Sequence, residues 1–296
     1  VTDLPISGTR VALRELSGAE DLLLLGGGAS VPHLVCELLT ALGGPGVEEL
    51  PVGDAESLLL AVRGALLGEH IRAGIACPAP GCRARIDVSF TIADYLRHRR
   101  PRRTRWRESD PSSALRAPSP LCGGEKGNEQ TISRDGNAVA PLPTAASPQW
   151  GEGGQRPGEG RTWMTEAEGV TFRIPTLRDQ VEVSGRAAAP RELFERCVRG
   201  APSARTRRRI ERTLDTIAPT LSDYVTGSCP ECGTAVEVYF DVEQFVLREL
   251  RDTAAEVIDD VHLLASHYGW SEAAIVALPR SRRTAYAERV RGEGVA

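Results

Sequence analysis

The chain has 296 residues, 41% of them hydrophobic and 26% charged, enough apolar material for about two domains and too much for a wholly disordered polymer. A formal net charge of −4 and a pI near 5.9 give no global attraction to nucleic acid or to an anionic membrane. No apolar run reaches the roughly 20 residues that span a bilayer, and no apolar block follows a basic start, so the sequence predicts a protein without a signal peptide, kept in the cytosol, whose seven cysteines bind metal or lie buried as thiols.

From the start of the chain, residues 9–16 alternate as a strand, and Gly26, Gly27 and Gly28 read as a turn. Helical periodicity follows near residues 30–42, around Cys36, and near 55–67. Next comes Cys77-Pro78-Ala79-Pro80-Gly81-Cys82. Beyond it Ile86, Val88 and Phe90 face one way while Arg85, Asp87 and Ser89 face the other, the period of a half-buried strand. From about Arg97 to Gly160 the chain is rich in Arg, Pro, Ser and Gly, without apolar periodicity. Residues 98–162 therefore read as a disordered linker, and the arginine run from Arg97 to Arg107 as a solvated, self-repelling spacer. Cys122, inside it, reads as incidental.

Residues 169–174 alternate again, and helices follow near 190–199, around Cys197, and near 203–217. After Cys229-Pro230-Glu231-Cys232-Gly233, the residues Val236, Val238 and Phe240 repeat the strand pattern. Val242 to Tyr268 reads as one long helix with apolar positions at Val246, Leu250, Ala254, Val257, Val261 and Leu264. Gly269 ends it and Ser271 caps a short helix. Pro279 stops that one, and Ser281 is expected to cap a last basic helix.

The two halves repeat one another. At an offset of 150, Ile86 falls on Val236, Val88 on Val238, Phe90 on Phe240 and Tyr95 on Phe245. At an offset of 159, Val11 falls on Val170, Arg14 on Arg173, Ser17 on Thr176 and Glu20 on Asp179. The same order of elements in both halves argues against chance. The expected fold class is α+β: two duplicated small lobes, each with a zinc-knuckle β-hairpin, joined by a disordered linker and followed by a helical tail. The boundaries are 1–97, 98–162, 163–250 and 251–296.

Two thiolates two residues apart can hold one tetrahedral ion where the backbone turns tightly between them. Gly233 allows that turn and Pro230 sets its first angle. The first pair is a looser version. Each pair supplies half a site, so Cys77, Cys82, Cys229 and Cys232 are expected to share one structural Zn2+. A thioredoxin-like pair would sit at a strand-to-helix junction, whereas here a strand follows each pair. Cys36 and Cys197 read as small buried hydrophobes.

No catalytic or cofactor-binding residues emerge: there is no Gly-x-Ser-x-Gly, P-loop or His-Glu-x-x-His. His262 and His267, five apart, with Asp259 and Asp260 before them, read as a solvated helix face. The chain is expected not to be an enzyme.

The order VTFRIPTLRDQ, a helix, CPECGTAVEVYFDVEQFV and VHLLASHYGWSEAAIVALPRSRRTAY resembles T-even-type phage baseplate proteins, above all their relatives in bacterial contractile injection systems. The stretch Val261 to Tyr286, with Tyr268, Trp270, Pro279, Arg282 and Arg283, carries the most specific part. The likeness covers both halves and the tail but not the linker, and the looser first cysteine pair departs from it. It implies a baseplate component without catalytic residues, assembled in the cytoplasm into a phage-like particle, whose C-terminal helices dock on other baseplate or tail proteins. Two other readings stand beside it: a tail-assembly chaperone, and a zinc-ribbon regulator binding nucleic acid, which the acidic balance and 5% aromatic content disfavour.

Overall fold

The computed structural model describes residues 1–98, 163–166 and 169–293. The expected linker beyond His98, with Cys122 and most of the arginine run, lies outside the described residues. Arg97 pairs with Asp94 at 2.7 Å.

The first half runs β1 (Thr2–Asp3), β2 (Arg10–Val11), α1 (Gly18–Leu25), α2 (Val31–Gly43), a 3-10 turn (Val47–Glu49), α3 (Val52–Leu67), β3 (His70–Ala76), β4 (Arg85–Thr91) and α4 (Ile92–His98). The second half runs β5 (Met164–Thr165), β6 (Thr171–Phe172), α5 (Leu177–Val183), α6 (Ala189–Cys197), β7 (Val198–Arg199), α7 (Ala204–Ile217), β8 (Asp223–Ser228), β9 (Ala235–Phe240) and α8 (Val242–Ala254). The chain closes with α9 (Glu256–Tyr268), α10 (Glu272–Val276) and α11 (Arg280–Glu293). The fold is thus mixed, with helices predominating and small antiparallel sheets.

The strands expected at 9–16 and 169–174 shrink to two residues each, and irregular chain leads from them to the N-caps of α1 and α5, Ser17 and Thr176. Both helices start on a capping box, Ser17 with Glu20 and Thr176 with Asp179. The matched arginines then make matched contacts. Arg14 grips Glu20 through two bonds of 2.9 and 2.6 Å, and Arg173 grips Asp179 through two of 2.5 and 2.8 Å. The Arg14 amide donates to the Leu42 carbonyl at 3.0 Å, and the Arg173 amide to that of Cys197 at 2.9 Å. Each arginine therefore ties a capped helix to the last turn of the helix after it. Burial alone would raise the Asp179 carboxyl, but Arg173 and Thr176 outweigh it and hold it well below the usual carboxylate range.

The main core does not divide into the two lobes expected at 1–97 and 163–250. It joins Leu24, Leu34, Leu38, Leu39, Leu58 and Leu59 of the first half with Leu177, Val246, Leu247 and Leu250 of the second. Each such fully buried side chain contributes about 1.5–3 kcal/mol. Three satellite clusters lie under the hairpins, around Phe172 and Ile210, and around Leu264 and Ile275.

The long helix expected from Val242 is interrupted only at Ala255, which keeps helical angles of −56° and −27°. Pro279, not Ser281, heads α11: its carbonyl accepts the Arg283 amide at 2.9 Å. Residues 251–296, expected as a docking tail, fold back over α1 as far as Glu293. Arg283, 1% exposed, bonds Asp21 at 2.6 Å and Asp260 at 3.1 Å. Arg280 also pairs with Asp21, and Arg291 with Asp260 at 2.8 Å.

Candidate metal centre

Each cysteine pair sits at the turn of an antiparallel hairpin. β3 pairs with β4 from His70↔Thr91 to Ala76↔Arg85, and β8 with β9 from Asp223↔Phe240 to Ser228↔Ala235. The turns close through main-chain bonds: the Cys77 amide donates to the Ala84 carbonyl at 3.0 Å, and the Cys229 amide to that of Thr234 at 2.9 Å. Gly81 and Gly233 adopt φ of +84° and +72°, the left-handed region that a side chain resists.

The hairpins pack inner face to inner face. Ile75, Ile86, Val236 and Val238 form the small cluster beneath the sulfurs. At the base, Phe90 and Phe240, matched in the repeat, meet edge to face at 5.5 Å, with Tyr95 and Phe245 beside them. This aromatic base pins both hairpins to the body, and the pinning brings their tips together.

At the tips the four sulfurs of Cys77, Cys82, Cys229 and Cys232 lie within 4.8 Å of one another. The contacts are reciprocal, as a two-fold relation requires: the first cysteine of one pair meets the second of the other. Cys77 Sγ lies 3.6 Å from Cys232 Sγ, and Cys82 Sγ lies 3.9 Å from Cys229 Sγ. Four thiolates about 2.3 Å from a tetrahedral ion stand about 3.8 Å apart, so the donor set fits such an ion, and all four are free cysteines. A disulfide needs sulfurs about 2.05 Å apart.

The surroundings treat the sulfurs differently. The Ala79 amide, 3.5 Å from Cys77 Sγ, favours the thiolate, but burial and the neighbouring sulfurs outweigh it and push the Cys77 thiol up to about 12. The Thr234 hydroxyl, 3.3 Å from Cys232 Sγ, and its main chain hold Cys232 down to about 6. Crowded sulfurs resist sharing negative charge, and a bound dication removes that conflict.

The chain matches no family model, no curated protein and no solved structure.

All four predicted ligands come together, and among the described residues no other cluster of metal-binding side chains does. Cys197 is buried at 1% exposure, as expected, while Cys36 is half-buried against the main core. His262 and His267 are exposed, but Asp260, read as solvated, is buried in ion pairs with Arg283 and Arg291. Thr234 is the neighbour that the pattern of cysteines alone did not reveal, although a hydroxyl two residues beyond Cys232 is the signal that would have suggested it. No helix among the described residues is long and apolar enough to cross a membrane.

Proposed function

We propose that this chain is a structural, non-enzymatic subunit of the baseplate of a phage-like contractile tail or injection system, built on a duplicated unit and clamped by one Zn2+. The observation that carries the clamp is the reciprocal set of four sulfurs joining hairpins 147 and 155 residues apart along the chain. Zinc suits a four-thiolate tetrahedral shell, and such a shell leaves no open position for a substrate. The ion would fasten the hairpin tips where their own apolar cluster is small.

The baseplate assignment draws its support from the resemblance in Val170–Gln180, Cys229–Val246 and Val261–Tyr286. In this reading the subunit is assembled in the cytoplasm and meets other baseplate or tail proteins. Because α9 to α11 are held to α1, such contacts fall on their outer faces, where Arg282, Ala285 and Arg289 are exposed.

Metal analysis of the purified full chain tests the clamp. One zinc per chain, lost in both Cys77→Ser and Cys229→Ser together with stability, is the expected result. No zinc, or zinc lost in one variant only, refutes a shared site. Mass spectrometry of purified particles tests the assembly role. Presence in the mature particle is expected, whereas presence only in assembly intermediates would make the chain a tail-assembly chaperone.

A further inference from the structure

Two exposed helix faces carry charge of opposite sign at the same spacing. The first is on α7, which buries Thr206, Ile210 and Thr213. Its other face presents Arg205, Arg208 and Arg212, all exposed, and ends on exposed Asp215. Residues three and four apart share a helix face, so these form one stripe. Among the described residues the three arginines enter no ion pair. The arginines between them are already matched, Arg207 with Glu211 at 2.9 Å and Arg209 with Glu166 at 3.1 Å.

The second face runs along α8 and α9. The helical angles at Ala255 keep the two in line, and the buried stripe of Val246, Leu250, Ala254, Val257 and Leu264 continues across the junction. The opposite side presents Arg248, Asp252, Glu256 and Asp259, all exposed. Among the described residues these three carboxylates also enter no ion pair. The acidic neighbours Glu249 and Asp260 are taken up, by Arg63 and by Arg283 and Arg291.

Read forward from Arg205 and backward from Asp259, the two stripes are complementary. Arg205 falls on Asp259, Arg208 on Glu256 and Arg212 on Asp252, over about 10 Å of helix on each side. Arg209 falls on Ala255, whose small side chain gives it room. One turn further the sign reverses on both faces together, with Asp215 beyond Arg212 and Arg248 beyond Asp252. Both faces lie open on the single chain, so their meeting takes a second copy.

We infer that the chain associates with itself through these faces, α7 of one copy lying antiparallel along α8 and α9 of another. The shared reversal of sign favours a second copy over a polyanion, which would meet Asp215 as well as the arginines and leave the acidic stripe without a role. Exposed ion pairs are individually weak, so the contact is reversible and salt-sensitive. Each copy offers both faces, so copies can join head to tail. The contact does not depend on the baseplate reading, and its failure would leave that reading standing.

Sedimentation equilibrium of the full chain tests it, at about 0.01 M and about 1 M salt, where charges act over about 30 Å and about 3 Å. Association that rises with protein concentration is expected at low salt and should vanish at high salt. Arg208→Glu and Glu256→Arg, each placing like charges opposite one another, should each weaken it by about tenfold or more. An equimolar mixture of the two variants, or both substitutions in one chain, should restore it, which a misfolded variant could not do. A wild-type chain that stays monomeric at low salt overturns the inference, as does association that neither substitution weakens. Loss in Arg208→Glu alone, or loss in both without restoration, also overturns it and assigns the stripes to other partners.

Discussion

Replacing Arg283 with methionine tests whether the C-terminal helices belong to the body of the molecule. The guanidinium is 1% exposed and spans two carboxylates that are themselves buried, Asp21 at 2.6 Å and Asp260 at 3.1 Å. Methionine keeps an apolar stem of similar length and removes the charge. Stripping one partner from a buried pair costs about 3–5 kcal/mol, because the other charge is left without compensation. Here Arg280 still reaches Asp21 and Arg291 still reaches Asp260, which places the expected loss near the lower end, about 3 kcal/mol. In a chain of this size that corresponds to a fall in Tm of about 6–12 °C. Thermal and urea unfolding followed by circular dichroism measure it. A cycle with Asp21→Asn should give a coupling of about 1–3 kcal/mol. A loss below about 1 kcal/mol, with coupling near zero, would mean that the α1 contact does not hold these helices, and the reasoning would fail.

Three further outcomes are expected. Gly53→Ala drives a Cβ to within 2.3 Å of the Pro219 carbonyl and should destabilise by about 1–3 kcal/mol, read as a lower urea midpoint; an unchanged midpoint would show that this close approach is not held in solution. Burial, aided by the Glu56 charge and by Asp241, pushes the Glu243 carboxyl up to about 7, against hydrogen bonds from Gln180. Between its usual value near 4.5 and about 7 the folded chain holds a proton that the unfolded chain releases, so this group's contribution to stability is full at low pH and is lost as pH rises through that window. Glu243→Gln should therefore flatten the fall and raise stability at pH 7 by on the order of 2 kcal/mol, and a stability profile unchanged by the substitution would refute the assignment. Chelation of the purified chain should loosen the hairpin tips first, so amide exchange should rise at Cys77–Ala84 and Cys229–Ala235 before it rises in α2 or α3; uniform loss of protection would show that the tips are not a separate unit.

Much of the local structure was legible in the residues themselves. The alternation of Ile86, Val88 and Phe90, and of Val236, Val238 and Phe240, marked both inner strands, since a strand turns successive side chains to opposite faces whatever it packs on. The spacing of the cysteines, with glycines able to take positive φ, marked the two hairpin turns for the same local reason. Helix α1 stayed hidden because its eight residues are too short for periodicity, although Ser17 and Glu20 carried its start. The match of Arg14 to Arg173 and of Glu20 to Asp179 was visible as a repeat, but its meaning, an arginine holding a capped helix to the helix after it, appeared only with coordinates.

Tertiary structure alone decided how the two halves are arranged. Periodicity shows that Leu250 or Leu177 is buried, not which half of the chain buries it, and here both sit in one core with Leu24 and Leu38. The same holds for Asp260. Its carboxylate looked like part of a solvated face because charge usually stays in water, and only the arrival of Arg283 and Arg291 from a later helix made its burial stable. The cysteine pairs were two half-sites in the sequence. That their four sulfurs meet depends on an aromatic base of Phe90, Tyr95, Phe240 and Phe245 aligning two distant hairpins, a long-range contact that no local pattern encodes.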